Sequence, residues 1–349
     1  MTTTALTFQP GDIRTRAQIH KELGGGGPGG ICPSKEMKTV LLFSDLKAGA
    51  KYGYRDGWLR ENDRLGPIFE YTGMGARGDQ KFIGTFNKSV LHHAEDGRTL
   101  HLFIVHGKVP GSQTKTHRYI GAFEVAKDPA YTLRRALDED KEERYVIVFR
   151  LRPLGPYHRS PDDAVPLPAV TRVRRVFGRR RRPEEPRLPR EARARLAAAT
   201  EAVARMNDGL VTEFEHELAN RKHQFGALEI EARGREGTME AVLYDDTEHT
   251  LYEPAASTTH REILDALMKL ADISRYLNST HNGVPLRCMV LAPEAPSDDI
   301  RDLLSHQGVG LLYRSGIGTF TELPADGQAS PPTATPTGFP CQNCPVLPS

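Results

Sequence analysis

Hydrophobic positions in the first 155 residues come in short runs of β character: Thr39–Phe43 (TVLLF), Ile68–Tyr71, Leu100–Val105, Tyr119–Val125 and Tyr145–Leu151. Glycine-rich turns separate them, and one helix is predicted around Phe86–His93. Short strands punctuated by turn signals at this spacing predict a curved sheet or barrel. The pattern changes near Glu191. Residues Glu191–Arg205 and Leu210–His223 carry helical apolar spacing, and strands are predicted at Leu228–Ala232, Glu240–Tyr244 and Thr250–Glu253. Across Arg261–Leu277 the residues Ile263, Leu264, Leu267, Leu270, Ile273 and Tyr276 fall on one helical stripe. Arg287–Ala292 reads as a buried strand, Ser297–His306 as a helix with Ser297 as its N-cap, and Gly308–Tyr313 as a strand. Strands interleaved with helices give an α/β order. The whole chain is therefore expected to be α+β, with a curved barrel followed by an α/β domain.

Composition sets the boundaries. The 349 residues suit two domains of roughly 100–200 residues each. Leu151 to Arg190 becomes rich in Pro and Arg once the last strand ends, and the segment after Asp326 (GQASPPTATPTGFPCQNCPVLPS) has the composition of a disordered tail. The expected organisation is a first domain over 1–155, a linker over 156–190, a second domain over 191–325 and a tail over 326–349. No apolar run approaches the ~20 residues that span a bilayer. The N-terminus has no basic stretch followed by an apolar one, so a cytoplasmic, nucleoid-associated protein is the expectation.

The net charge of +2 conceals a polarity. Residues 1–170 hold 25 Lys/Arg against 20 Asp/Glu, residues 171–195 hold 11 Arg against 3 Glu, and residues 196–349 hold 11 Lys/Arg against 22 Asp/Glu. A polyanion suits the front and middle and is repelled by the rear. Arg179, Arg180, Arg181 and Arg182 read either as a solvated connector or as a tether that tracks phosphates. Among the cysteines, Cys32 and Cys288 stand alone, and Cys341 and Cys344 form one CxxC with no His pair beside it. A zinc site needs about four ligands, so neither a metal nor any other cofactor is expected.

The candidate chemistry lies in Tyr52–Gly73, YGYRDGWLRENDRLGPIFEYTG, which sets Tyr54, Asp56, Trp58 and Tyr71 around a Gly-punctuated turn. Aromatic faces and a carboxylate can hold a nucleobase drawn out of its duplex. Stacking returns about 1–3 kcal/mol per base, comparable with the few kcal/mol that unpairing costs. A carboxylate accepts from cytosine N4 and rejects thymine, whose O4 is itself an acceptor. The GGGGPGG run (Gly24–Gly30) lacks the GxxxxGK[ST] pattern and follows no strand, which excludes a P-loop. His92 and His93 are adjacent rather than i, i+4, so structural or exposed roles are expected.

These motifs, GGGGPGGI, YGYRDGW, EYTGMGARGD (Glu70–Asp79), FNKSVLHHAEDGR (Phe86–Arg98) and LHLF (Leu100–Phe103), occur in order over about residues 10–155 and resemble the SRA, or YDG, domain of bacterial modification-dependent restriction proteins. The resemblance implies a crescent-shaped, PUA-like β-barrel that flips 5-methylcytosine out of double-stranded DNA. It implies that Tyr54 and Tyr71 sandwich the ring, that Asp56 accepts from N4, and that backbone amides near Thr72 and Gly73 meet the opposite edge. Gly29 and Gly30 would approach the DNA closely, with Arg77, Lys81 and Lys88 as phosphate contacts. Met74 departs from the family, which commonly has a small or polar residue there, and leaves methyl against hydroxymethyl selectivity open. Trp58 is either a pocket wall or a core residue.

The rear domain resembles the PD-(D/E)xK restriction-endonuclease fold. That chemistry needs an Asp on one strand and Glu-x-Lys on the next, to hold Mg²⁺ and activate water. The matching frame is AVLYDD (Ala241–Asp246) followed by LYEPAAST (Leu251–Thr258). Val242 stands at the metal-binding Asp position, Glu253 survives, and Ala255 stands where Lys is needed. A retired nuclease that reads DNA without cutting it is the expectation, with the rear domain serving dimerisation or contact with a partner. The alternative is a type IV modification-dependent endonuclease in which Glu240 or Asp245 supplies the missing carboxylate and Lys269 replaces the lysine.

Overall fold

The computed structural model describes residues 8–82, 84, 86–127, 129–176 and 209–325. Arg179–Arg182, the predicted helix Glu191–Arg205 and the tail from 326 lie outside them. The chain divides into two compact units, one built chiefly from residues up to Arg172 and the other chiefly from Met239 onward.

In chain order the first unit carries β1 (Ile13–Thr15), α1 (Arg16–Leu23), β2 (Ile31–Ser34), β3 (Thr39–Ser44), α2 (Leu46–Ala50), β4 (Gly57–Trp58), β5 (Phe69–Thr72), α3 (Phe86–Leu91), β6 (Thr99–Lys108), β7 (Lys115–Val125), β8 (Tyr131–Leu137) and β9 (Glu143–Tyr157). They form one nine-stranded sheet in the order β2-β3-β6-β7-β9-β5-β4, with β1 joined to β7 and β8 to β9. Only the β3–β6 pair is parallel among the pairings of this sheet. The 15-residue β9 is the seam: it pairs with β8 and β5 over its first half and with β7 over its second, which curls the sheet into a half-barrel. Inside the curl lie Trp58, Phe69, Phe123, Phe149, Leu100, Leu102 and Ile147, all fully buried.

The second unit is a seven-stranded sheet in the order β10-β11-β12-β13-β16-β17-β18. Its strands are β10 (Arg172–Val176), β11 (Phe225–Glu231), β12 (Met239–Asp245), β13 (Thr250–Pro254), β16 (Arg287–Ala292), β17 (Gly310–Gly316) and β18 (Thr319–Leu323); β14 (Thr280–His281) and β15 (Val284–Pro285) form a separate hairpin. The central strands β13, β16 and β17 run parallel, and the pairs β11–β12, β12–β13 and β17–β18 run antiparallel. Helix α5 (His260–Ser274) and helix α6 (Asp298–His306) cover one face through Ile263, Ala266, Leu270, Ile273, Ile300 and Leu304. A helix over residues 209–220, α4, covers the other face through Leu210, Val211, Phe214 and Leu218. This is a three-layer α/β/α arrangement.

All strands expected in the first domain are present within a few residues of their predicted limits. Strand β8 (YTLRRAL) was hidden by its arginines. Arg134 is buried in the sheet, where its guanidinium bonds the equally buried Glu70 carboxylate at 2.6 Å, so a polar letter occupies a core position. Helix α1 (RAQIHKEL) lacks an apolar stripe and is fixed at its start by a capping box, in which Thr15 and Gln18 satisfy each other's backbone amides. The segment expected as linker also carries structure. Asp163 and Val165 are buried, Asp163 binds Arg118, and the arginine-rich RVRRV becomes edge strand β10, where Arg175 pairs with Asp246. Charged residues suit such an edge, which is shielded from further pairing.

Burial holds His101 and His117 neutral, with pKa values pushed down to about 4. The unfolded chain takes up protons at both sites near pH 6.5, so stability present above that pH is lost as pH falls toward 4. A urea midpoint measured at pH 7 is therefore expected to fall at pH 5, with His101 alone accounting for at most about 3 kcal/mol by pH 4. A midpoint unchanged between pH 7 and pH 4.5 would contradict this.

Candidate nucleic-acid interface

Asp56 sits at the meeting point of three chain segments. It is 7% exposed, its Oδ2 accepts from the Ser44 hydroxyl at 2.7 Å and its Oδ1 from the Thr72 amide at 2.8 Å. Ser44 ends β3 and Thr72 ends β5, so one carboxylate ties both strand ends to the YRDGW segment. Burial raises its pKa, and the bonds from Ser44 and Thr72 together with the charge of Arg134 partly offset that rise. Tyr71 lies beside it at 2% exposure and donates its hydroxyl to the Gly30 carbonyl at 2.8 Å. Burial and the nearby Asp56 push the Tyr71 phenol well above its ordinary range, with Cys32 and Tyr54 adding to the effect. Tyr54 donates to the Gly75 carbonyl at 2.7 Å and accepts from Gln80 Nε2 at 3.1 Å, with the Arg144 guanidinium 5.7 Å from its ring centre. Tyr54, Asp56 and Tyr71 are thus brought together, as the sequence led us to expect.

The Gly-rich loop closes against this group by contact. A Cβ on Gly30 would stand 3.0 Å from the Tyr71 hydroxyl, and one on Gly29 would stand 3.1 Å from Met74 Cε. Glycine is required there for close approach rather than for an unusual φ. Met74 lies over the loop, and its sulfur accepts from the Ile31 amide at 3.3 Å.

Other expectations need correction. The amides near Thr72 and Gly73 were expected to face a base edge, but the Thr72 N–H is held by Asp56, the Gly73 N–H by the Ile147 carbonyl and the Met74 N–H by Asn87 Oδ1. Sheet pairing and local capping take these donors first. Trp58 is a core residue: it is fully buried and meets Phe69 edge-on at 5.4 Å. Arg77 is exposed but ion-paired with Asp140 at 3.1 Å and Glu139 at 3.7 Å, which weakens it as a phosphate contact. Lys81 and Lys88 are exposed. His93 is structural: its Nδ1 donates to the Arg98 carbonyl at 2.9 Å, and its Nε2 accepts from the Val125 amide at 3.0 Å.

Three residues were missed although their motifs were in view. Asn87 brackets Met74, accepting from its N–H at 2.8 Å and donating to its carbonyl at 2.9 Å, and also donates to the Lys81 carbonyl at 3.0 Å. Gln80 donates to the Gly73 carbonyl at 2.7 Å and accepts from the Ile147 amide at 2.9 Å. Ser44 supports Asp56. The signal was an amide side chain in each of GDQ and FNK, but side-chain amides advertise no partner in one dimension.

In the second unit Glu253 is 3% exposed and its Oε1 accepts from Lys269 Nζ, on α5, at 2.8 Å. Burial raises the Glu253 pKa and Lys269 opposes the rise. The register Leu243↔Tyr252 sets Val242 next across the strand pair from Glu253, and Ala255 follows on the same face. Asp245 falls on the opposite face, fully buried, with Oδ2 on His223 Nδ1 at 2.6 Å and Oδ1 accepting from the Thr247 amide at 2.8 Å. Alternation along β12 keeps Asp245 from serving beside Glu253. Glu240 shares the face of Val242 and is exposed.

The curled sheet, with a buried Tyr–Asp pair beneath a glycine loop, fits the fold that the SRA resemblance implies. Residues 10–167 match the family model described as ScoMcrA-like, SRA domain. Among solved structures, the sulfur-binding and SRA domains of ScoMcrA with phosphorothioated DNA show 23% identity over 46% of this chain and 44% of that chain, at a TM-score of 0.32. The type IV phosphorothioation-dependent restriction endonuclease ScoMcrA shows 25% identity over 45% and 28%, at 0.32. The DNA modification-dependent restriction endonuclease AspBHI shows 15% identity over 40% and 67%, at 0.30. The matched part covers less than half the length of either ScoMcrA chain. No curated protein matches the sequence. No helix among the described residues is long and apolar enough to cross a membrane.

Asn87→Ala would leave the Met74 amide and two carbonyls without partners. It is expected to cost about 1–3 kcal/mol in urea unfolding. An unchanged midpoint would show that Asn87 does not hold the Gly73–Met74 turn.

Proposed function

We propose that the first domain binds double-stranded DNA containing 5-methylcytosine by flipping the modified base against Tyr54 and Tyr71, with Asp56 accepting from N4. The observation that carries this reading is the buried Asp56 carboxylate, oriented by Ser44 and Thr72 next to Tyr71. A carboxylate offers about four acceptor positions, and the bonds from the Ser44 hydroxyl and the Thr72 amide leave room for an N4 donor. Gly30 rests on Tyr71 and Met74 on Gly29, so admission of a base would involve this loop and the Met74 side chain swinging aside. The thioether then lies where it can line the C5 methyl. Lys81, Lys88 and Arg179–Arg182 would supply phosphate contacts without sequence preference.

We read the second domain as a nuclease-like fold that does not cut, serving contact with a partner or a second copy. Val242 removes one metal-binding carboxylate, and Lys269 holds the surviving Glu253 in an ion pair. The alternative, a metal-dependent endonuclease of the type IV class, draws on the same pair: Lys269 reaches Glu253 from the helix, as a migrated lysine must, and Glu240 would supply the second carboxylate.

Gel shifts on matched duplexes test the reader. Methylated DNA is expected to bind at least tenfold tighter than unmethylated DNA, as about 1.4 kcal/mol of stacking and hydrogen bonding provides. Asp56→Asn and Tyr54→Ala should each bring that ratio close to one while leaving the salt-dependent background. Equal affinity of the wild type for both duplexes, or preference for a phosphorothioate linkage over the methyl group, would overturn it. A 2-aminopurine placed next to the methylcytosine should brighten on binding if the base leaves the stack. Methylated plasmid incubated with Mg²⁺ or Mn²⁺ should stay intact; nicking that Glu253→Ala abolishes would establish the endonuclease instead.

A further inference from the structure

On the other side of the Gly-rich loop from Asp56 lies a cleft of about 460 Å³, lined by Arg16, Gly30, Phe43, Lys115 and His117 among others. Its floor and walls are built for an anion. The α1 N-cap and the two residues after it, Thr15, Arg16 and Ala17, all line it. The capping box takes the amides of Thr15 and Gln18, which leaves those of Arg16 and Ala17 without an intrahelical acceptor at the positive end of the helix. Arg16 is fixed rather than free: its guanidinium lies 3.9 Å from the Phe43 ring centre and donates to the carbonyls of Gly27 at 2.9 Å and Gly29 at 2.8 Å. Lys115 stands on the cleft wall, paired with Asp45 at 2.5 Å. The independent observation is His117. It is 3% exposed, lines the cleft, and its Nδ1 has no hydrogen-bond partner. A buried ring nitrogen without a partner is costly unless something completes it.

We propose that this cleft is a phosphate subsite, in which Arg16, Lys115, the start of α1 and an Nδ1–H of His117 hold one backbone phosphate of the bound DNA strand. The proposal rests on the DNA-binding reading for the source of the phosphate, though not for the anion chemistry. Asp45 is already neutralised by Lys115, so the cleft keeps a net positive charge from Arg16. Gly30 joins the two sites: one side of it lines the cleft, and its carbonyl receives the Tyr71 hydroxyl. A phosphate held here would anchor the strand beside the loop that must move to admit a base, which couples register on the backbone to access at Asp56.

Two measurements separate this inference from the function on which it builds. In the first, duplexes carry one neutral methylphosphonate at successive positions around the methylcytosine. Wild-type protein should lose roughly tenfold in affinity at one linkage in particular, as expected for a charge-assisted hydrogen bond. In His117→Phe, and separately in the rim variant Lys115→Gln, that linkage should cost clearly less while the other linkages cost what they do in the wild type. Losses that simply add at every position, in both variants, would overturn the proposal. In the second, inorganic phosphate is titrated against ¹⁵N-histidine-labelled protein. Saturable movement of the His117 ring nitrogens, abolished in the His117→Phe spectrum, supports an anion site even if the protein fails to bind DNA. A His117 signal that does not move, together with additive losses on DNA, would leave the cleft without this role.

Discussion

One buried carboxylate organises the first domain. Asp56 is almost without solvent and set where the ends of β3 and β5 meet the turn between α2 and β4. Desolvation alone would drive it neutral or expel it. The Ser44 hydroxyl and the Thr72 amide offset that cost, and in doing so they fix where both strands stop. Tyr71 and the Gly29–Gly30 loop then pack against the same point, so the group that would recognise a base is also the one that holds its surroundings in place. At this carboxylate burial is set against hydrogen bonding from Ser44 and Thr72, and burial prevails to raise its pKa.

The second domain handles a buried carboxylate differently. Glu253 keeps its place on a central strand of a three-layer α/β/α unit, but its partner is an ammonium group arriving from α5 rather than a neighbouring acid. With Val242 beside it, the carboxylate faces one cation supplied by the protein. Removing one member of such a pair leaves the other charge buried, so the pair persists whether or not it ever held a metal. The same geometry serves both the non-cleaving reading and the endonuclease reading, which is why only chemistry on DNA distinguishes them.

Much of the fold was readable because apolar runs report burial directly. TVLLF, Leu100–Val105 and Arg287–Ala292 became β3, β6 and β16, and the stripe from Ile263 to Ile273 became the buried face of α5. What escaped were elements whose buried positions hold charge. Strand β8 hides Arg134 against Glu70, and β10 emerged from a stretch whose arginines resemble a linker. In the site, Tyr54, Asp56 and Tyr71 were legible because aromatic and acidic residues beside Gly-rich turns have few other uses. Ser44, Gln80 and Asn87 were not, because their role is to bond particular groups of other segments: the Asp56 carboxylate for Ser44, and backbone amides and carbonyls for Gln80 and Asn87.

The sequence by itself determined the strands and helices whose buried faces are apolar, and the clustering of an aromatic–carboxylate motif in the first domain. These follow from residue type and local spacing. Tertiary structure alone decided that the amides of Thr72, Gly73 and Met74 are already occupied, that Trp58 belongs to the core, that Lys269 reaches Glu253, and that His117 lies unpartnered beside Arg16. Each depends on which groups meet across separations that run from about a dozen residues of chain, as for Met74 and Asn87, to about a hundred, as for Arg16 and His117. Hydrogen-bond satisfaction and desolvation act on such meetings, and no one-dimensional pattern records them.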